Sequence, residues 1–81
     1  MSVQLIDGQA HLRGDCMVED AEALLQILQE NPSSTIDIKD CGRIHMAVAQ
    51  VMLTAHRPVL GVPANAFVRE WLVPQLLRTA D

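Results

Sequence analysis

Thr35-Ile36-Asp37-Ile38-Lys39-Asp40-Cys41-Gly42-Arg43-Ile44-His45-Met46, running on through Ala47 to His56 and into Arg57-Pro58-Val59-Leu60-Gly61-Val62-Pro63, is the stretch whose reading decides the fold. Thr35 to Ile38 alternates apolar with polar and begins on β-branched residues, which predicts a strand. Asp40-Cys41-Gly42 breaks that strand. From about Ile44 to His56 the chain is apolar and rich in Ala, with Met46, Val48, Val51, Met52 and Leu53 spread around the helical wheel, so a helix buried on more than one side is expected. Arg57-Pro58 opens a second short apolar strand, Val59 to Val62. Pro63 suits the start of a last helix, where its missing N–H would be unpaired anyway. A strand, a helix and a further strand in this little chain imply a parallel pair joined by a right-handed crossover.

Upstream, Val3 to Ile6 and Gln9 to Arg13 are two short runs on either side of Asp7-Gly8, a dipeptide that favours the positive φ angles of a tight hairpin turn. Gly14 closes the second run. Asp15, or a residue just after it, is a candidate helix cap. Glu19, Asp20 and Glu22 suit the positive end of the helix dipole there. Val18, Ala21, Leu24, Leu25 and Leu28 recur at helical spacing until Asn31-Pro32-Ser33-Ser34 ends the helix. Downstream, Phe67, Val68, Trp71 and Leu72 are expected to form the apolar face of the last helix, with Leu76 and Leu77 beyond. Pro74 should kink it or split it. The expected order is ββαβαβα: an α/β fold, residues 1–81 forming one domain, with helices packed on a mixed sheet.

The chain has 81 residues and a net charge of −4, and nearly half of it is apolar. Phe67 and Trp71 are its aromatic residues, so the core must be aliphatic. The basic residues Arg13, Lys39, Arg43, Arg57, Arg69 and Arg78 are scattered, which gives nucleic acid neither a basic stripe nor a stacking platform. No apolar stretch reaches membrane-spanning length. The first residues lack a basic region followed by an apolar one. A cytoplasmic protein without membrane insertion is expected, and Cys16 and Cys41 read as two reduced thiols.

With this order in view, the middle of the chain resembles the STAS family, named for sulfate transporters and anti-sigma-factor antagonists. Leu12-Arg13-Gly14 resembles the family's closing strand and Ala21 to Leu28 its first helix. Asp37-Ile38-Lys39 is similar to its Asp-Leu-Ser strand, Gln50 to Ala55 to the body of its second helix, and Val59 to Pro63 to the next strand. The resemblance spans about residues 10 to 73, and in size the chain is similar to short stand-alone bacterial members. It implies a non-catalytic protein-interaction module in bacterial signalling, needing no cofactor or metal and docking on a kinase-like or anti-sigma-type regulator. The implied contacts are Asp40, Gly42, Arg43, His45 and Met46, joined by Asp15 and Pro63. The alternative it implies is a small cytoplasmic subunit of a lipid-trafficking ABC transporter. Counting from Asp37, the family's Asp-Ser-Ser-Gly falls on His45-Met46-Ala47-Val48. Met46 therefore stands where the phosphoacceptor serine belongs, so the phosphorylation switch is absent at that position.

The residues also carry plainer readings. His45, near a helix start, is either a partner contact or a capping and packing histidine. Met46 is either an adaptable exposed contact or core. Cys41 and His45, four apart beside Asp40, invite a metal or nucleophile reading. No further ligand at zinc spacing and no orienting acid or oxyanion motif accompanies them. Both cysteines are therefore taken as small apolar residues, and Gly42 as a turn glycine at positive φ. An exposed edge strand in so small a sheet leaves a homodimer open.

Overall fold

The computed structural model describes residues 2–79, with side chains for residues 2–77. The ends of the expected domain, at residues 1, 80 and 81, lie outside the described residues. Strand β1 (Val3–Ile6) turns at Asp7-Gly8 into β2 (Gln9–Leu12). Both turn residues have positive φ, 51° and 77°, the geometry of a type I′ hairpin. Helix α1 (Val18–Glu30) crosses to β4 (Thr35–Asp37), and α2 (Met46–Ala55) crosses to β6 (Val59–Leu60). Strands β1, β2, β4 and β6 form one sheet in that order, antiparallel at β1–β2 and parallel beyond. The expected order is present, with two short strands added. These are β3 (Gly14–Cys16) and β5 (Cys41–Ile44), which pair in parallel as a second sheet.

The sheet alternates as a half-buried sheet must. Val3, Ala10, Leu12, Ile36 and Ile38 are buried, while Gln4, His11 and Asp37 take the other face. On that face the register partners His11 and Asp37 bring Nδ1 and Oδ2 within 3.4 Å. From α1 come Leu24 and Leu28, and from α2 come Val48, Ala49 and Met52. Val51, Leu53 and Ala55 are also partly covered, so α2 is buried on more than one side. The apolar stripe of α1 is narrower than its sequence suggests, since Val18 and Leu25 are exposed.

The C-terminal helical segment departs from expectation. Pro63 does not open it. Asn65 does, accepting the Val68 N–H on Oδ1 at 3.0 Å, as an N-cap should. A π-helical turn (Val68–Leu72) then runs directly into α3 (Val73–Thr79), with the Val73 N–H bonded to the Val68 carbonyl. Pro74 explains the widening. It has no N–H, and its ring would crowd the carbonyl four residues back, so a π turn before it relieves both problems. The buried residues are Val68, Leu72 and Leu76, and Val73 is half-buried. Phe67 and Trp71 lie outside the core, stacked on each other with centroids 5.1 Å apart.

Arg57 closes the other end of α1. Asn31 Nδ2 donates to the Ile27 carbonyl, and α1 has no basic residue in its last turn. The half-buried Arg57 guanidinium fills that place from across the fold. Nη2 donates to Leu28 O at 2.8 Å, and Nη1 donates to Asn31 O, Ser34 O and Ser34 Oγ.

Candidate functional site

The two added strands build the site. Strand β3 continues the chain from β2 and β5 continues it from β4, so the two chains that lie side by side in the main sheet stay paired. The Gly14 N–H donates to Asp40 O, and the His45 N–H donates to Cys16 O, each at 2.9 Å. One residue beyond each strand a helix begins. Met17 is the N-cap position of α1 and His45 that of α2. Both helix starts therefore leave the same two-stranded sheet side by side. A cleft of about 330 Å³ lies there, lined by Asp15, Cys16, Met17, Arg43, Ile44 and His45.

Asp15 is not the cap of α1. It lies in β3 and its Oδ1 accepts the Arg43 backbone N–H at 2.9 Å, pinning β5 to β3 at a register irregularity. Asp20 takes the capping role. Its buried carboxylate reaches back to the Met17 N–H at 2.7 Å, satisfying a donor that would otherwise be orphaned at the helix start. His45 is a cap, as its plainer reading had it. Nδ1 accepts the Ala47 N–H at 3.0 Å, which places the remaining proton of the neutral ring on Nε2, at the exposed end of α2. Gly42 has no positive φ and is no turn residue. It lies within β5, where a Cβ would run into the Asp15 carboxylate.

Of the seven expected contacts, Asp15, Arg43 and His45 line the cleft together. Met46 follows His45 as the first residue of α2 and is 52 % exposed, which settles its two readings in favour of the surface. Asp40 is exposed in the turn before β5, and Gly42 is half-buried behind Asp15. Pro63 does not join them: its side chain is fully buried in the segment between β6 and the last helix, away from the exposed surface. Met17, 54 % exposed, was missed. Its signal was an apolar residue placed directly before the acidic helix start.

Cys16 and Cys41 are buried and form no disulfide. Burial, aided by the charge of Asp20, pushes the Cys16 thiol up to about 12. Burial pushes Cys41 up to about 11, against a backbone hydrogen bond that lowers it. Both are protonated at neutral pH and therefore poor nucleophiles. Among the described residues no group of three His, Cys, Asp or Glu side chains could hold a metal ion, and no helix is long and apolar enough to cross a membrane. A second hollow, about 290 Å³ and almost wholly apolar, lies between α1 and α2 against Leu25, Val51 and Ala55.

Comparison with protein-family models, with curated proteins and with solved structures finds no match for this chain.

Proposed function

We propose that this chain is a non-catalytic protein-interaction module of bacterial signalling, docking on a kinase-like or anti-sigma-type regulator through the paired starts of α1 and α2. One observation carries the reading. Met46 stands exposed at the start of α2, where the STAS resemblance puts a phosphoacceptor serine, beside a cleft with a second exposed methionine, Met17. Methionine is unbranched and polarisable, so a pair of them at a cleft fits a partner surface without demanding one shape. Arg43 and His45 add polar contacts that fix orientation. With no hydroxyl at residue 46, binding is constitutive, and control comes from the partner's state or from abundance.

The test is affinity capture of the tagged protein from its own cells, wild type against Met46→Asp and Met17→Asp, followed by titration of the identified partner in purified form. An acidic residue at the first position of a helix suits the dipole, so Met46→Asp keeps α2 intact. A regulator recovered with the wild type and lost with both variants supports the proposal. A partner unaffected by either variant refutes this surface. Transporter subunits in place of a regulator move the assignment to the lipid-trafficking alternative.

A further inference from the structure

The two edges of the main sheet differ in a way that points to a second copy of this chain. Strand β6 is blunted. It has two residues, follows Pro58, and ends at Gly61, whose φ of +96° turns the chain away. Short edges flanked by proline are how sheets avoid pairing with other chains. Strand β1 has none of these devices. Val3-Gln4-Leu5-Ile6 contains no charge and no proline, it pairs regularly with β2 through its whole length, and Leu5 and Ile6 are exposed.

Its hydrogen-bonding phase is fixed. The Arg13 N–H donates to Ser2 O at 2.8 Å, which makes Ser2–Arg13 a hydrogen-bonded pair of the hairpin. Such pairs alternate along an antiparallel ladder, so Gln4–His11 and Ile6–Gln9 are the closed pairs that follow. Val3 and Leu5 accordingly turn their N–H and C=O groups away from β2, toward the open edge. We infer that this protein forms a two-fold homodimer in which β1 pairs antiparallel with β1 of a second copy, Val3 opposite Leu5 and Gln4 on the axis.

That register is singled out by three requirements. It pairs all four outward-facing backbone groups of each copy. It keeps the buried faces of the two sheets on one side, with Leu5 beside the other copy's Val3. It also stays within the strand, whereas a shift toward the turn would bring in Asp7, whose φ is 51°. The contact is isologous and closes on itself, so it yields a dimer and not a filament. The inference goes beyond the proposed function and does not rest on it.

The experiment uses Gln4, exposed and on the axis. In the non-hydrogen-bonded pair it forms with itself the α-carbons lie about 4.5 Å apart, within the roughly 4.4–6.8 Å that a disulfide spans. Gln4→Cys under mild diamide oxidation is expected to give a covalent dimer, while Leu60→Cys on the opposite edge is not; Cys16 and Cys41 are buried and do not interfere. Sedimentation equilibrium of the wild type should show a monomer–dimer equilibrium. Gln4→Lys sets two ammonium groups against each other and should weaken it at least tenfold, with partial recovery in high salt. A wild type monomeric up to near-millimolar concentration overturns the inference. A dimer that Gln4→Lys leaves intact, or one cross-linked through Leu60→Cys, also overturns it, since the interface would then lie elsewhere.

Discussion

Replacing Arg57 with Met tests whether one side chain holds the crossover from α1 to β4 together. Four donor contacts are lost: Leu28 O at 2.8 Å, Asn31 O at 3.0 Å, Ser34 Oγ at 2.9 Å and Ser34 O at 3.3 Å. A hydrogen bond from a charged donor contributes about 1.5–3 kcal/mol where its acceptor stays dry after the loss. Leu28 and Ser34 are buried, but carbonyls in a helix's last turn regain some water, so the contributions do not add in full. A total of about 3 kcal/mol follows, of which up to about 1 kcal/mol is the lost charge at the helix's negative end. With an m-value of about 1 kcal/mol per molar urea for a small chain, the unfolding midpoint should fall by about 3 M. A domain this small starts near the low end of about 5–15 kcal/mol, so the variant should keep only about 2 kcal/mol and have a few per cent of its molecules unfolded. Arg57→Lys keeps the charge but not the fork, and should recover only about 1 kcal/mol of the loss. Ser34→Ala should be less harmful in the Arg57→Met background than in the wild type, because the two side chains share a bond. An Arg57→Met midpoint within about 0.5 M of wild type would refute the reasoning, because it would mean that water replaces the guanidinium without loss.

Three further outcomes are expected. Trp71→Ala, which removes a half-exposed ring and its stack on Phe67, should cost less than Leu72→Ala one residue on, which should cost about 2–5 kcal/mol; thermal melts that rank them the other way would place the wrong face of the last helix in the core. Cys16 and Cys41 should resist alkylation in the native protein and react on unfolding; because burial raises both thiols above 9.0, the stability tied to their neutral forms is complete below pH 9 and is lost as pH climbs through about 11 to 12, which pH-dependent urea titration would register as a falling midpoint. Gly42→Ala should cost about 1–3 kcal/mol by forcing the Asp15 carboxylate aside, and Asp15→Ala should relieve that clash; strictly additive losses in the double variant would show that the two do not meet.

The elements legible in the sequence are those whose signals are local. Asp7-Gly8 names its own turn, and the spacing from Ala21 to Leu28 names its own helix. Thr35 to Ile38 alternates as a half-buried strand does. What stayed hidden depends on partners far away in the chain. Gly14–Cys16 and Cys41–Ile44 are short, hold a glycine each, and become strands only by pairing with one another. Without them the break at Asp40 to Gly42 looks like a loop, Asp15 looks like a cap, and the helix start drifts to Ile44. The last helix shows another limit. Phe67 and Trp71 are four apart, and so are Val68 and Leu72, so spacing alone offers two faces of equal merit. Burial selects Val68, Leu72 and Leu76, leaving the aromatic pair outside.

The same hidden strands decide how rigid the proposed docking surface is. Met17 and Met46 belong to different helices and stand 29 positions apart in the sequence, yet each follows its strand by one or two residues. Their separation is therefore set by the β3–β5 pairing, by the His45 N–H bonded to Cys16 O, and by Asp15 holding the Arg43 N–H. Freedom at either helix start is reduced, since Asp20 accepts the Met17 N–H and His45 accepts the Ala47 N–H. A partner that reads both methionines meets a preorganised pair on a fixed base, with the adaptability confined to the side chains. Perturbing Gly42 or Asp15 should thus weaken partner binding while leaving both methionines in place in the sequence, because it moves one helix start against the other.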